Sequence, residues 1–395
     1  MNRNFDVIVI GAGSVGVPAT MNLAKSGKKV LCIDALSSPG QCNNKKAIGG
    51  VRATHSDFGK IKICQRSIDI FSTWHDVYGD DIGWMSNGYC FPAYSKKIES
   101  DLLLQLDKQR RCGLNISWIA PDEVQRLVPG IELRDLAGAT FSKDDGSCSP
   151  LLACNAMYFK SVEMGATYRF NESVIDITFL NNVFCVTSNK DKYFSEFVIN
   201  AAGNNAREIS NKLGFDCPVV PDSHEAAITD PVQRFLGPMV VDLRQEKGSD
   251  NFYFYQNHEG QVIFCLTPKP LIYGVDNDAT SDFLPLCTTR MLKVLPRLRS
   301  LKVRRQWRGQ YPMTPDGMPI VGHFENNLAN STNGAIVSNQ KFIQAVGMCG
   351  QGFMLGPGLG ELLNRMIDDE LTKDDAIVLN SFDPNRGFIN SEAFK

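Results

Sequence analysis

What this 395-residue chain has little of narrows its function first. It holds only five histidines, and none of its 12 cysteines forms a C-x-x-C pair. Zinc sites need clustered Cys and His ligands, so no metal is expected. The thiols, scattered from Cys32 to Cys349, read as reduced and mostly buried. No apolar run approaches the roughly 18 residues of a transmembrane segment. Lys and Arg (41) nearly balance Asp and Glu (43), and the net charge of −2 offers no electrostatic hold on nucleic acid or an anionic membrane. The apolar start, Phe5 to Ile10, is too short for a secretory core and has no small-residue cleavage site, so a cytoplasmic protein is expected. Internal repeats and low-complexity linkers are absent.

What is present is an ordinary globular composition, long enough for two domains at roughly 100–200 residues each. Val7 to Ile10 is a continuous apolar run, as in a parallel strand covered on both faces. Gly11-Ala12-Gly13-Ser14-Val15-Gly16 follows, then helical spacing over Val17–Ser26 with Gly27 as a stop, then a strand Lys29–Asp34. A G-x-G-x-x-G that follows a strand, opens a helix and precedes an acidic strand end is a dinucleotide-binding fingerprint. Gly11 permits the tight turn, Gly13 lets backbone approach a pyrophosphate, and Gly16 permits close helix–strand packing. The N–H groups of the helix start, at Ser14 and Val15, face the phosphates, and Asp34 accepts from the ribose hydroxyls. The motif alone does not separate NAD from FAD.

Residues 35–58 read as a long functional loop. Helices are expected over 61–78, 97–112, from Pro121, from Ser149-Pro150 to about Gly165, near 281–295, and over Gly358–Asp369. A meander is expected through Thr167–Phe170, Ser173–Phe179, Val183–Ser188 and Tyr193–Asn200, with further strands at 83–94, Glu225–Thr229, Phe252–Tyr255 and Val262–Leu266. Dinucleotide-type elements at both ends of the chain imply one domain built from separated segments.

Four segments carry a resemblance to a family. They are the fingerprint; Gly49-Gly50-Val51-Arg52 with Ser56-Asp57; Val198-Ile199-Asn200-Ala201-Ala202-Gly203; and Trp307 to Gly322 together with Gly350-Gln351-Gly352-Phe353-Met354. In this order the chain resembles the D-amino-acid-oxidase-like FAD enzymes, in the branch of sarcosine oxidase and the dye-linked L-proline dehydrogenase β subunit. The resemblance implies an α/β fold: a Rossmann-like FAD-binding domain of the glutathione-reductase type, with a second, mixed-sheet (α+β) substrate domain. The expected division is 1–82, 145–221 and 311–395 for FAD, and 83–144 and 222–310 for substrate. It also implies hydride removal from a carbon next to an amine nitrogen, with a small amine or amino acid (sarcosine, proline or hydroxyproline type) as substrate.

The resemblance places Arg52 on the substrate carboxylate, where a guanidinium makes paired hydrogen bonds. It places Asn43, Asn44, Lys46, Ile48 and Gly49 over the pyrophosphate and flavin edge, where relatives more often carry Ser or Thr at 43 and 44. Ala35, Val174, Ala202 and Gly203 are further expected cofactor contacts, and Gly350, Gly352, Phe353 and Met354 begin the C-terminal flavin-binding turn that leads into the helix. His55 and His224 are candidate acid–base groups by their titration range, with a packing or surface role the alternative for each. Tyr253 and Tyr255 alternate with Phe252 and Phe254, so one pair faces the site.

Three departures from the family pattern matter. Gly309 stands where some relatives attach FAD through Cys, so FAD is expected to be non-covalent. Gln310 replaces the carboxylate-binding Arg of glycine-oxidase types. Met354 replaces the Lys of fast oxidases, which favours a dehydrogenase passing electrons to another acceptor, such as a partner subunit. A flavoenzyme acting on 2-hydroxy acids, or a non-catalytic FAD-carrying subunit, remains open at this point.

Overall fold

The computed structural model describes residues 3–324 and 339–389. The expected FAD-binding segments therefore extend, at 1–2, 325–338 and 390–395, outside the described residues.

Two eight-stranded sheets organise the described residues. The first has β1 (Asn4–Ile10) near its centre, flanked in parallel by β2 (Val30–Ile33) and β11 (Lys192–Asn200). Val7 to Ile10 are all buried, as their unbroken apolar run predicts. Beyond β2 lies β8 (Thr167–Arg169), and beyond β11 lie β18 (Phe342–Val346) and β17 (Ile320–Gly322). The start of β11 also pairs with β10 (Val183–Ser188), which pairs with β9 (Val174–Leu180). The expected meander is thus only three strands long. Its first member, β8, instead extends the parallel sheet beside β2, because the helix α5 (Pro150–Glu163) returns the chain to that edge.

The second sheet is ordered β16 (Val303–Met313), β12 (Val220–Pro231), β15 (Gln261–Pro268), β14 (Ser249–Gln256), β13 (Met239–Asp242), β4 (Tyr89–Ala93), β6 (Gly138–Ser142) and β5 (Ile116–Ile119). One face carries Phe252, Phe254, Phe264 and Leu266 into a core closed by helix α7 (Phe283–Val294). A two-stranded ribbon, β3 (Gly50–Val51) with β7 (Gly146–Ser147), makes up the third sheet. The remaining helices are α1 (Gly16–Lys25), α2 (Phe58–Tyr78), α3 (Lys96–Arg111), α4 (Pro121–Leu127), α6 (Ala206–Asn211), α8 (Gly352–Asp368) and α9 (Lys373–Ser381).

The helix expected from Gly358 starts six residues earlier, since α8 begins at Gly352 and carries Pro357 inside it. Its glycines are packing positions. A Cβ on Gly356 would lie 1.8 Å from the Ser14 carbonyl oxygen, and one on Gly360 2.7 Å from that of Pro18, so α8 lies directly against the start of α1. Strand β16 escapes the sequence pattern altogether: Val303-Arg304-Arg305-Gln306-Trp307-Arg308 shows no apolar alternation, because it is an edge strand held by ten rungs to β12. Among the described residues no helix is long and apolar enough to cross a membrane.

Candidate active site

One cavity runs from the β1–α1 turn to the face of the second sheet. At its first end, Gly11 has φ +105°, and a Cβ there would lie 2.5 Å from the Ala201 carbonyl oxygen. A Cβ on Gly16 would lie 1.8 Å from the Gly11 carbonyl oxygen, which explains the third glycine as packing. A Cβ on Gly13 would meet nothing within 4 Å, yet Gly13 lines the cavity with Ser14 and Val15. That space beside bare backbone is what a pyrophosphate needs. Helix α1 has no side-chain cap and no acid in its first turn, leaving its positive end to an anionic ligand.

Asp34 stands just beyond β2 and lines the same cavity. Its carboxylate accepts from the N–H groups of Ala12 (2.6 Å) and Leu36 (2.8 Å). Burial pushes its pKa up, and those two bonds pull it back. Ala35 is exposed, and Val174 is half-buried against the first sheet's core; neither is among the lining residues.

The middle of the cavity is roofed by the 41–50 loop, with Asn43, Asn44, Lys46, Ile48 and Gly49 all in its lining. The loop is pinned from both sheets. The Asn43 amide donates to Asn204 (2.9 Å) and accepts from Gln310 N–H (3.2 Å); Asn44 donates to the Pro150 carbonyl (3.0 Å). Trp307 Nε1 donates to the Lys46 carbonyl (2.8 Å), and the Tyr255 hydroxyl donates to that of Ile48. Lys46 Nζ bonds Asn277, and burial lowers its pKa. Ala202 and Gly203, just beyond β11, are in the lining as well. Gly350, Gly352, Phe353 and Met354 line the cavity too, at the start of α8, which is a second helix without a side-chain cap. Gly350 is required by contact: a Cβ would lie 2.4 Å from the Tyr311 ring.

The far end is built of side chains. Arg52, 8% exposed, projects from just beyond β3, and its Nη1 donates to the Thr54 carbonyl. Tyr253 faces the cavity, while Phe252 and Phe254 turn into the core; Tyr255, on the same face as Tyr253, is not among the lining residues and holds the Ile48 carbonyl instead. The Tyr253 hydroxyl bonds that of Tyr311 (3.0 Å) and receives Cys265 Sγ (2.7 Å). Tyr89, Met239, Val241, Asn251 and Thr267 complete this end.

The two histidines separate. His224 lines the cavity, stacks on Tyr311 (centroids 3.8 Å apart) and holds Asp222 Oδ2 through Nε2 (2.8 Å). His55 is fully buried, 3.6 Å from Cys64 Sγ, and is not among the lining residues. Burial first, and then the charges of Arg52 and Lys60, hold its imidazole well below its ordinary range. Tyr89, Asp145, Asp222 and Tyr311 are site or near-site residues that the sequence did not disclose. Among the described residues no group of three or more His, Cys, Asp or Glu could hold a metal ion.

A glycine turn, an acid at the end of the second strand and two uncapped helix starts around one cavity fit a dinucleotide cofactor. The chain belongs to the FAD dependent oxidoreductase (DAO) family, which it matches over residues 6–366. FAD is therefore its cofactor, and the bare backbone at Gly13 fits the cofactor's pyrophosphate. In sequence it is 24% identical to a glycine oxidase of Bacillus licheniformis, over 93% of this chain and 94% of that protein. It is 25% identical to one of the subunits of an opine oxidase from Agrobacterium tumefaciens, over 81% and 85% respectively. In structure it is similar to L-proline dehydrogenase from P. horikoshii, with a TM-score of 0.88 and 27% identity over 98% of both chains. Glycine oxidase from Geobacillus kaustophilus shares the fold, with a TM-score of 0.84, 19% identity and coverage of 98% of this chain and 99% of that one.

Proposed function

We propose that this enzyme removes a hydride from the carbon beside the nitrogen of a small amino acid or secondary amine of the sarcosine, proline or hydroxyproline type. The observation that carries this reading is Arg52, a buried guanidinium in the cavity between the cofactor turns and the tyrosine-lined sheet. It would hold the substrate carboxylate and so orient the C–H bond. FAD, when bound, supplies hydride acceptance. The substrate nitrogen must give up a proton before hydride leaves. His224 would take that proton: Asp222 holds its Nε2, and its Nδ1 has no partner among the described residues. The names of the relatives, on glycine, proline and opines, support an amino-acid substrate.

The cofactor is held without a covalent bond in this reading, because Gly309 offers no thiol. Met354 favours a dehydrogenase, with electrons passing to an acceptor other than oxygen; a partner subunit is one such acceptor, since a relative is named as one subunit of its enzyme. The division into FAD-binding segments (1–82, 145–221, 311–395) and substrate segments (83–144, 222–310) is supported by the two separate sheets. A cytoplasmic location is supported by 12 cysteines, all unpaired. The test is anaerobic bleaching of the flavin band across a panel of amino acids, N-methyl amines and 2-hydroxy acids. Reduction by the amines supports the reading, and reduction by 2-hydroxy acids alone overturns it.

A further inference from the structure

Arg52 carries the carboxylate reading, yet it leaves a strand of only two residues. β3 pairs antiparallel with β7, Gly50 opposite Ser147 and Val51 opposite Gly146, so the next rung sets Arg52 across from Asp145. Asp145 is 1% exposed and does not line the cavity. Its Oδ1 accepts from the Ala53 N–H (2.8 Å), and its Oδ2 accepts from the Thr54 hydroxyl. The Thr54 carbonyl in turn accepts from Arg52 Nη1. One carboxylate therefore grips the two residues that follow the arginine, and the second of these holds the guanidinium itself.

The grip has a cost. Burial pushes the Asp145 carboxyl up to about 6, although the bonds from Thr54, Ala53 and Ser142 and the charge of Arg52 all pull it down. An asparagine or serine would cap the same loop without burying a charge. A carboxylate accepts at both oxygens at once, and so can hold a backbone N–H and a hydroxyl rigidly from the same side.

We propose that Asp145 is a positioning residue for Arg52, clamping residues 53 and 54 from behind so that the guanidinium meets the substrate carboxylate in a fixed pose. This rests on the reading of Arg52 as the carboxylate-binding group. Asp145 acts through Arg52 and touches neither substrate nor cofactor.

The test uses the FAD-loaded full chain and a ligand it cannot oxidise at a C–N carbon. Benzoate is titrated by calorimetry, with benzamide as the uncharged control. Asp145→Ala should weaken benzoate binding about tenfold and leave benzamide within about twofold, as expected when a charge-assisted contact is misplaced rather than removed. Asp145→Asn should recover part of the loss, because its amide oxygen still accepts from Ala53 and its NH2 can donate to the Thr54 hydroxyl. In an Arg52→Gln background, Asp145→Ala should add less than about twofold, since a residue acting through another shows no independent effect once that other is gone. Full additivity, or unchanged benzoate affinity in Asp145→Ala, overturns the proposal. If Asp145→Ala does not fold, Asp145→Asn and Thr54→Val carry the same comparison. The two readings fail separately. Arg52→Gln with unchanged benzoate affinity defeats the carboxylate reading. Arg52→Gln with weakened affinity and clamp variants with none defeats only the role of Asp145.

Discussion

The two ends of the cavity are built on different principles. At one end the protein presents backbone: Gly11 and Gly13, and then Gly350 and Gly352, line the cavity beside two helix starts, with Gly16 packed behind them. At the proposed substrate end it presents side chains from distant strands: Tyr253 on β14 meets Tyr311 on β16, 58 residues away, and His224 on β12 packs on that same ring. Backbone recognition demands residues without a Cβ, so it leaves a readable signature. Side-chain recognition uses residue types that also build cores, and it leaves almost none.

The largest effect should come from breaking the backbone end. Gly356→Val puts branched carbon where the Ser14 carbonyl oxygen lies 1.8 Å from an added Cβ. Neither α1 nor α8 can give way without moving the fingerprint turn. A loss at or above the roughly 1–3 kcal/mol of ordinary overpacking is expected, because the clash is with backbone that cannot change rotamer. The protein should be purified without FAD, if at all; a yellow, normally stable variant would show that the α1–α8 crossing tolerates a side chain.

Next is the charge at the substrate end. Arg52→Gln keeps hydrogen-bonding capacity and loses the guanidinium. For a carboxylate substrate, affinity should fall roughly 10–100-fold, the range of a lost charge-assisted bond worth about 1.5–3 kcal/mol. FAD content should stay the same. Loss of flavin in this variant would blur the two ends into one.

Met354 lines the cavity near the start of α8, and in the proposed reading it lies beside the flavin where oxygen would react. The first electron passed to oxygen creates an anion, and a unit charge 4 Å away is worth about 4 kcal/mol at an effective dielectric constant of 20. The cavity is partly open, so about half of that, a rate gain on the order of thirtyfold, is expected for Met354→Lys. Stopped-flow reoxidation in air-saturated buffer measures it. Rapid reoxidation of the natural enzyme would mean that another cation, Lys46 or Arg52, already serves, and would end the dehydrogenase reading.

The same contrast explains what the sequence disclosed. The parallel strands β1 and β2, the turn and Asp34 follow from local pattern, because each is specified within about 30 residues. Helix α8 was legible only in its second half, since Gly356, Pro357 and Gly358 look like a turn until α1 is seen packed against them. In β14, alternation separated Tyr253 and Tyr255 from Phe252 and Phe254, but both faces of that sheet are covered, one by core and one by cavity. Nothing local to the strand tells cavity from core. Tyr311 hid within a strand of mixed polarity, and Asp145 hid because its significance is a pairing with a segment 92 positions earlier.

His55 gives the smallest and sharpest test, because its residue type points to acid–base chemistry and its location points to packing. Its imidazole is fully buried, and burial holds it neutral well below its ordinary range. In the unfolded chain it titrates near 6.5. Below that pH the unfolded state binds one proton more than the folded state, so stability is complete above about 6.5 and falls as pH drops, by up to about 1.4 kcal/mol per unit. Asp145 shifts in the opposite direction, with its carboxyl raised by burial to about 6, but it is common to parent and variant and cancels in their difference. His55→Gln should therefore lose some stability at pH 7.5 from imperfect packing and recover up to about 1.4 kcal/mol relative to the parent at pH 5.5. Urea unfolding at the two pH values measures both numbers. The pH profile of turnover should keep its shape, since a buried neutral ring away from the cavity lining has no proton to exchange with substrate. A profile that loses one ionisation in His55→Gln would move this histidine from the packing of α2 into the chemistry, and would make the loop after Arg52 part of the reacting site.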